Sequence, residues 1–516
     1  MLPPPGATIR LPPVTRGDFA AGRNLSLGEI RRRLDRTQAE IAVQRARLAS
    51  QVGPNSDAAG GASPGVDGPD SGSSEGTEER LETLEAAVRE GKLKVPNVRL
   101  SGFFQYDTIF FSQGAKNQAA LGDIQNGSGF RRLRLIALGN LAEFTAFTME
   151  MEFAGAGRPS FFDVWGEQRE LPVFGAVRIG QFGQPVTMDS WTSSRHLEFM
   201  ERDAAFQAFD PFRRVGIMAW RVTENERSML AYSLYGTGTS IFNPATNSED
   251  YNTLGDNLWG TQIGNEGGVS FALRSTHLLW YDEPSEGRYL VHVGGGVNVS
   301  KINGNGPGTK IYQASSAPET FVGDAGAGGD VTAAGTPFIV DTGKFLATSY
   351  NLYHTEIAGN YGSFHFQSEF LLTTVDQIGG RQLFYDGGYL QFGYFLTGES
   401  YKYLPLRGVL DYNVHPFSDF FSLRRGGVRG WGAWEPAFRW TYLNLSDPHV
   451  ASYVNPSPGP PASPNPGILN ESTLGMNWYW NQYMRMQFQW VHSMLDNNAH
   501  GFSTLESFGT RFQVEF

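Results

Sequence analysis

No cysteine occurs in the 516 residues, which excludes a disulfide scaffold and any Cys-ligated metal or haem site. No run of eighteen or more apolar residues occurs either, so no helix is expected to span a bilayer; a barrel strand needs only about 9–11 alternating residues and stays open. Charged residues make up 18%, below the usual ~25%. A basic excess is missing: 41 Lys and Arg stand against 52 Asp and Glu, a net charge of −11, so nucleic acid is not an expected partner. Lysine is scarce, 7 against 34 arginines. The stretch Met1–Arg10 has neither a basic n-region nor an apolar h-region, so no secretory signal is read there. Phosphate-binding Gly-Lys-Ser/Thr loops, His-Glu-x-x-His and nucleophile elbows are absent. His492, Ser493 and Asp496 lie close together, but a strand-end cluster of this kind reads as a polar rim. The expectation is no enzyme and no cofactor.

What is abundant is glycine (63) and aromatics (37 Phe, 20 Tyr, 11 Trp). Residues 1–24 are Pro-rich and expected to be disordered. A capping box, Ser26 with Glu29, opens a helix over 25–50. Its Leu27, Ile30, Leu34, Thr37, Ile41, Gln44 and Leu48 form a heptad seam, expected to self-associate as a coiled coil or to dock as an amphipathic helix. Residues 51–76 hold 15 Gly, Ser or Pro and form a flexible linker, and 77–97 carries a second short helix ending near Gly91. Residues 1–97 carry 13 basic and 13 acidic side chains, so the whole net charge belongs to 98–516.

From Val98 onward the period changes to two. Val98, Leu100, Phe104, Tyr106 and Phe110 alternate with Arg99, Ser101, Gln105 and Asp107; Leu133 and Leu135 with Arg132 and Arg134; Phe364, Phe366 and Phe370 with His365, Gln367 and Glu369. Phe438, Trp440 and Tyr442 alternate with Arg439 and Thr441, and the last ten residues repeat the pattern. Long strands, aromatics near their ends and an aromatic final residue predict an all-β transmembrane antiparallel barrel of about 16 strands over 98–516, preceded by the N-terminal α-helical coiled-coil segment. Residues 183–212 break the alternation with charges and aromatics. The Gly-, Ser- and Pro-rich stretches 301–344 and 446–470 read as external loops.

The strings FRRLRL (130–135), VRIGQFGQPV (177–186), TSSRHLEFMER (192–202), PFRRVG (211–216), YFLTGESYKY (394–403), GAWEPAFRWTYLNLSD (432–447), MNWYWNQYMRMQFQWVHS (476–493) and RFQVEF (511–516) resemble, in this order, the phosphate-selective porin O and P family of bacterial outer membranes. The resemblance implies a sixteen-stranded homotrimeric porin in outer-membrane lipid that passes small anions by diffusion, with its N-terminal segment in the periplasm. It further implies a loop folded into the lumen at the narrowest zone, where Ser193, Ser194, Arg195 and Arg202 meet Arg131 and Arg132, with Asp163 beside the bound anion. Phe516 corresponds to the family's barrel-assembly signal.

Independently of the family, alternation puts Arg134, Arg178, Arg439, Arg485 and Arg511 on the polar face with Arg132. Such a ladder suits oxyanions, because each planar guanidinium donates two hydrogen bonds and keeps its charge. The other reading is structural. The ladder would then pair with Glu150, Glu152, Glu369 and Glu435, and the loop arginines with Glu198, Glu201 or Asp203. The scarcity of lysine leaves the solute open between phosphate and other anions. A structural barrel anchoring the outer membrane to the cell wall through the N-terminal coiled coil is the alternative function.

Overall fold

Period-two patterning yields strands whose two faces differ in chemistry, and here sixteen such strands close on themselves. The computed structural model describes residues 95–154, 160–237, 268–302, 310–323, 335–421, 430–454, 465–497 and 500–516. The segments 1–24, 25–50 and 51–76 and nearly all of 77–97 lie outside them. The barrel strands are β1 (Asn97–Gln113), β2 (Gly127–Ala142), β3 (Thr145–Glu152), β4 (Ser160–Leu171), β5 (Gly175–Gly183), β6 (Arg213–Val222), β7 (Ser228–Thr237) and β8 (Gly268–Tyr281). They continue as β9 (Tyr289–Lys301), β10 (Phe345–Tyr361), β11 (Phe364–Gln377), β12 (Leu383–Tyr394), β13 (Ala433–Asn444), β14 (Gly467–Asn481), β15 (Met484–Asn497) and β16 (Gly501–Glu515). Each pairs antiparallel with its sequence neighbour. β16 returns to β1, with Phe103 opposite Glu515 and Gln113 opposite Leu505, so the sheet has no free edge. Phe516 extends that seam: its N–H donates to the Gly102 carbonyl and its own carbonyl accepts from Gly102 N–H, both at 3.0 Å.

Burial runs opposite to that of a soluble sheet. Leu133, Leu135, Ile179, Ile357, Leu390 and Leu474 are exposed, while Gln105, Glu356, Glu435, Thr441, Thr473 and Gln487 are buried. An apolar outer band is what lipid accepts, and the polar groups face inward where they find partners. Aromatics gather at the rim with the short turns: Tyr289 faces Tyr361, Phe364 faces Tyr394, and Trp434 stacks on Trp478 at 4.8 Å.

Three connections turn inward against this polar face. Residues 184–212, between β5 and β6, are held by β1 and by β11 to β16. Residues 310–323, expected outside the barrel, place the Glu319 carboxylate against Arg439 (2.6 Å) and Thr473 (2.7 Å) of the inner wall. A buried carboxylate needs donors, and in this stretch the wall supplies them. From the opposite rim, residues 395–421 bring Tyr403 to His292 and Tyr412 to Gln367.

Candidate functional site

The inward loop 184–212 is built from two short helical turns, α1 (Met188–Trp191) and α2 (Ala204–Phe209). Thr187 caps the first by accepting from Ser190 N–H. Asp203 caps the second by accepting from Ala205 and Phe206 N–H. Glu369 of the wall accepts the Met188 and Asp189 N–H groups at 2.8 and 2.9 Å, fixing the first turn to β11. At the neck, Gln184 N–H donates to the Phe212 carbonyl. Two glycines let the loop approach the wall closely. A Cβ on Gly509 would lie 2.8 Å from Met200 Sδ, and one on Gly393 2.5 Å from Glu198 Oε1.

Three ladder arginines grip the loop's main chain. Arg485 donates to the carbonyls of Arg195 (2.7 Å) and Leu197 (2.9 Å), Arg439 to that of Glu201 (3.0 Å), and Arg511 to that of Met200. Each also has side-chain partners: Arg439 binds Glu319, Arg511 binds Asp107 through two 2.7 Å bonds, and Arg485 meets Gln513 at 3.0 Å. Arg134 is shared between Glu150 (3.1 Å) and Glu152 (2.5 Å), and Arg178 binds Glu167 at 2.6 Å. Of the carboxylates expected to pair with the ladder, Glu150 and Glu152 do so. Glu369 caps the loop instead, and Glu435 takes His365 at 3.0 Å.

Glu201 is the hub of an ion cluster between the loop and the wall. Its carboxylate receives Arg131 (2.9 Å), Arg132 (2.8 Å) and Arg511 (2.8 Å). Burial works to raise its pKa, but these guanidinium groups overcome that and hold the carboxyl far below the usual range. Strict alternation would send one of the consecutive Arg131 and Arg132 into lipid. A β-bulge prevents this: Gln105 pairs with Arg132 and Tyr106 with Phe130, leaving Arg131 as the extra residue, and both side chains reach Glu201.

The loop arginines are held differently. Arg195 takes none of the expected carboxylates; it donates to Ser101 Oγ at 3.1 Å and lies over the Phe103 ring at 5.3 Å. Arg202 donates to the Thr192 carbonyl at 2.7 Å. Its Nε sits 3.6 Å from Asp189 Oδ2, beyond hydrogen-bond reach, and both of these atoms are buried without a hydrogen-bond partner. Burial lowers the basicity of both groups, against the opposing pull of Glu150 on Arg195 and of Asp189 on Arg202. Arg202 is thus held to Asp189 by charge without a hydrogen bond, and Arg195 by a hydroxyl and a ring. Ser194 Oγ accepts from Arg134 at 3.2 Å, and Ser193 Oγ accepts from Arg195 N–H at 3.4 Å. Asp163 binds Arg213 through bonds of 3.0 and 3.2 Å, a partner the sequence did not suggest.

A small cavity, with room for one or two water molecules, lies at the centre of this arrangement. Arg131, Arg132, Arg134, Ser194 and Arg202 of the expected set line it, together with Glu201, Gln207, Phe162, Phe206, Phe212 and Phe321. Ser193, Asp163 and Arg195 are not among the lining residues; Arg195 borders a second, equally small space with Arg485 and Gln513. Phe321 and Glu319 were not picked from sequence, since a Gly- and Ser-rich stretch carries no periodic signal.

A closed sixteen-strand barrel, apolar outside and polar inside, with an arginine-rich loop folded into it, defines a transmembrane barrel of the porin class. Residues 98–516 match the phosphate-selective porin O and P family, and the chain belongs to it. The barrel is thereby one of the bacterial outer membrane. A Caulobacter vibrioides protein of uncharacterised function is 24% identical over 322 residues, covering 62% of this chain and 56% of its own length, so the chain spans little more than half of that relative. Among solved structures, the anion-selective porin from Comamonas acidovorans is similar at 12% identity, covering 81% of this chain and 99% of its own, with a TM-score of 0.44. Pseudomonas putida OprB is similar at 8% identity, with coverages of 85% and 97% and a TM-score of 0.46. The OmpT outer membrane protein of Vibrio cholerae in its trimer form is similar at 10% identity, with 81%, 99% and 0.43. Family membership rests on the sequence match alone.

Proposed function

We propose that the protein is a porin through which small anions, phosphate among them, diffuse passively, and that the loop cavity is its selective zone. The observation that carries this reading is the cavity lining, which holds four guanidinium groups and one carboxylate, with Glu150, Glu152 and Asp189 paired to them from behind. In a narrow space at an effective dielectric of ~20, a unit charge at ~4 Å is worth ~4 kcal/mol, against ~1 kcal/mol in bulk water. Fixed charge of one sign within such walls raises the local concentration of counter-ions. The full chain, reconstituted in a planar bilayer, should give discrete conductance steps. A silent barrel would favour the structural anchor instead. The assembly implied by the family resemblance is a homotrimer, which the mass in mild detergent checks.

Phe516 is expected to act in assembly rather than in conduction. Deleting it removes the two main-chain bonds to Gly102 at the closing seam. Membrane levels of the deletion variant should fall several-fold while the conductance of inserted barrels stays the same. Normal levels would exclude the role.

A further inference from the structure

Within residues 395–421, Lys402–Leu404 pairs antiparallel with Val409–Asp411, so 405–408 form the turn of a small inward hairpin. The N–H groups of Arg407 and Gly408 both donate to the Leu404 carbonyl, at 3.0 and 2.8 Å. Gly408 has a φ of 58°, and a Cβ there would lie 2.7 Å from Thr276 Oγ1, so the turn against the wall requires glycine. Arg274 of β8, fully buried, donates to the carbonyls of Arg407 (2.8 Å) and Gly408 (2.7 Å), and its guanidinium is held by Glu356 of β10 at 2.7 Å. The turn is thereby fixed through its main chain, and the Arg407 side chain takes no part in holding it. That side chain is exposed. Among the described residues, no group accepts a hydrogen bond from its guanidinium and no carboxylate stands within ion-pair distance. The charges that act on it are those of Arg178 on β5, Asp163 on β4, Asp411 of its own hairpin and Arg195 of the loop 184–212, so it belongs to the lumen. Burial and Arg178 lower its basicity, against Asp163 and Asp411, and a guanidinium remains charged even so. The ladder differs: Arg178 is held by Glu167, Arg439 by Glu319, and Arg511 by Asp107 and Glu201. A paired charge is largely cancelled for a passing ion, whereas an unpaired one within low-dielectric walls is not.

We propose that Arg407 is a contact point for permeating anions, a selectivity-determining cation presented to the lumen by the 395–421 connection and separate from the loop cavity. This rests on the anion-porin reading and adds a second station to it. The test compares full-length channels by their reversal potential across a potassium chloride gradient at low salt. Arg407→Gln should lower the anion-to-cation permeability ratio about threefold, and Arg407→Lys should keep it. The chain has no cysteine, so Arg407→Cys introduces a single reactive thiol, whose modification from water is checked by mass. On that variant, the anionic sulfonatoethyl methanethiosulfonate should lower the ratio further. The cationic trimethylammonium-ethyl reagent should instead return it toward the wild-type value. A thiol that reacts with neither reagent, or with both without moving the reversal potential, would overturn the proposal. An unchanged ratio in Arg407→Gln beside an anion-preferring wild type would overturn it too, and would leave the anion reading standing. A wild-type channel without anion preference would overturn both.

Discussion

Glu201→Gln should both destabilise the barrel and sharpen its preference for anions. The carboxylate receives Arg131, Arg132 and Arg511 within 2.9 Å and is 4% exposed. Removing one member of a buried ion cluster leaves the others uncompensated, at a cost of about 3–5 kcal/mol. Thermal unfolding in detergent should therefore shift down by several degrees. At the same time the cavity loses the one carboxylate that lines it, and its field becomes more positive. The anion-to-cation permeability ratio should rise by roughly tenfold, equivalent to ~1.4 kcal/mol. The pH dependence follows from the sign of the shift. The carboxyl of Glu201 is held below its unfolded value of ~4.3. Its stabilisation is complete above that value and is lost only as pH falls through the lower folded one. Glu201 should therefore contribute no pH dependence between pH 7 and pH 5. An unchanged unfolding temperature together with unchanged selectivity would contradict this account.

Removing the two loop charges should have the opposite effect. Arg195 has no carboxylate within hydrogen-bond distance among the described residues and Arg202 meets Asp189 only at 3.6 Å, so their charges are less tightly paired than those of Arg131, Arg132 and Arg134. Arg195→Ala with Arg202→Ala should lower anion preference by about tenfold, since ~1.4 kcal/mol is about a third of the interaction at ~4 Å in a partly dehydrated zone. Arg288 supplies the control. It is half-buried near the short-turn rim, donating to the Gly398 carbonyl at 3.0 Å and to Ser363 Oγ at 3.4 Å, and charges beyond ~8 Å are screened at physiological salt. Arg288→Ala should change selectivity by less than about twofold. Arg202→Lys should restore most of what Arg202→Ala loses, which separates charge from the hydrogen bond to Thr192. Equal small effects from the double variant and from Arg288→Ala would make the loop arginines braces.

The barrel was legible because lipid imposes period two on every strand. Leu133, Leu135 and Phe110 were placed outward by alternation alone, and they are exposed. The inward side of Arg439, Arg485 and Arg511 followed from the same rule, and they are buried. Their partners were not legible, because a closed sheet joins residues distant in sequence: Arg511 meets Asp107 404 positions away. Arg131 needed a bulge, which alternation cannot anticipate, although two adjacent arginines in a strand were a hint. Glu319 and Phe321 lie in a segment without periodicity, so only the wall residues they touch explain their place. The expected constriction residues came together in part. Arg131, Arg132, Arg134, Ser194 and Arg202 share one cavity, while Asp163 is engaged by Arg213.

The reversal potential of the full-length channel across a tenfold potassium chloride gradient at neutral pH tests the central claim most directly. A selective zone dominated by four guanidinium groups should set a potential of the sign given by chloride permeating faster than potassium. The magnitude should shrink as salt rises toward 1 M, where the screening length falls to about 3 Å. A potential near zero at low salt, or one of the cation-selective sign, would contradict it.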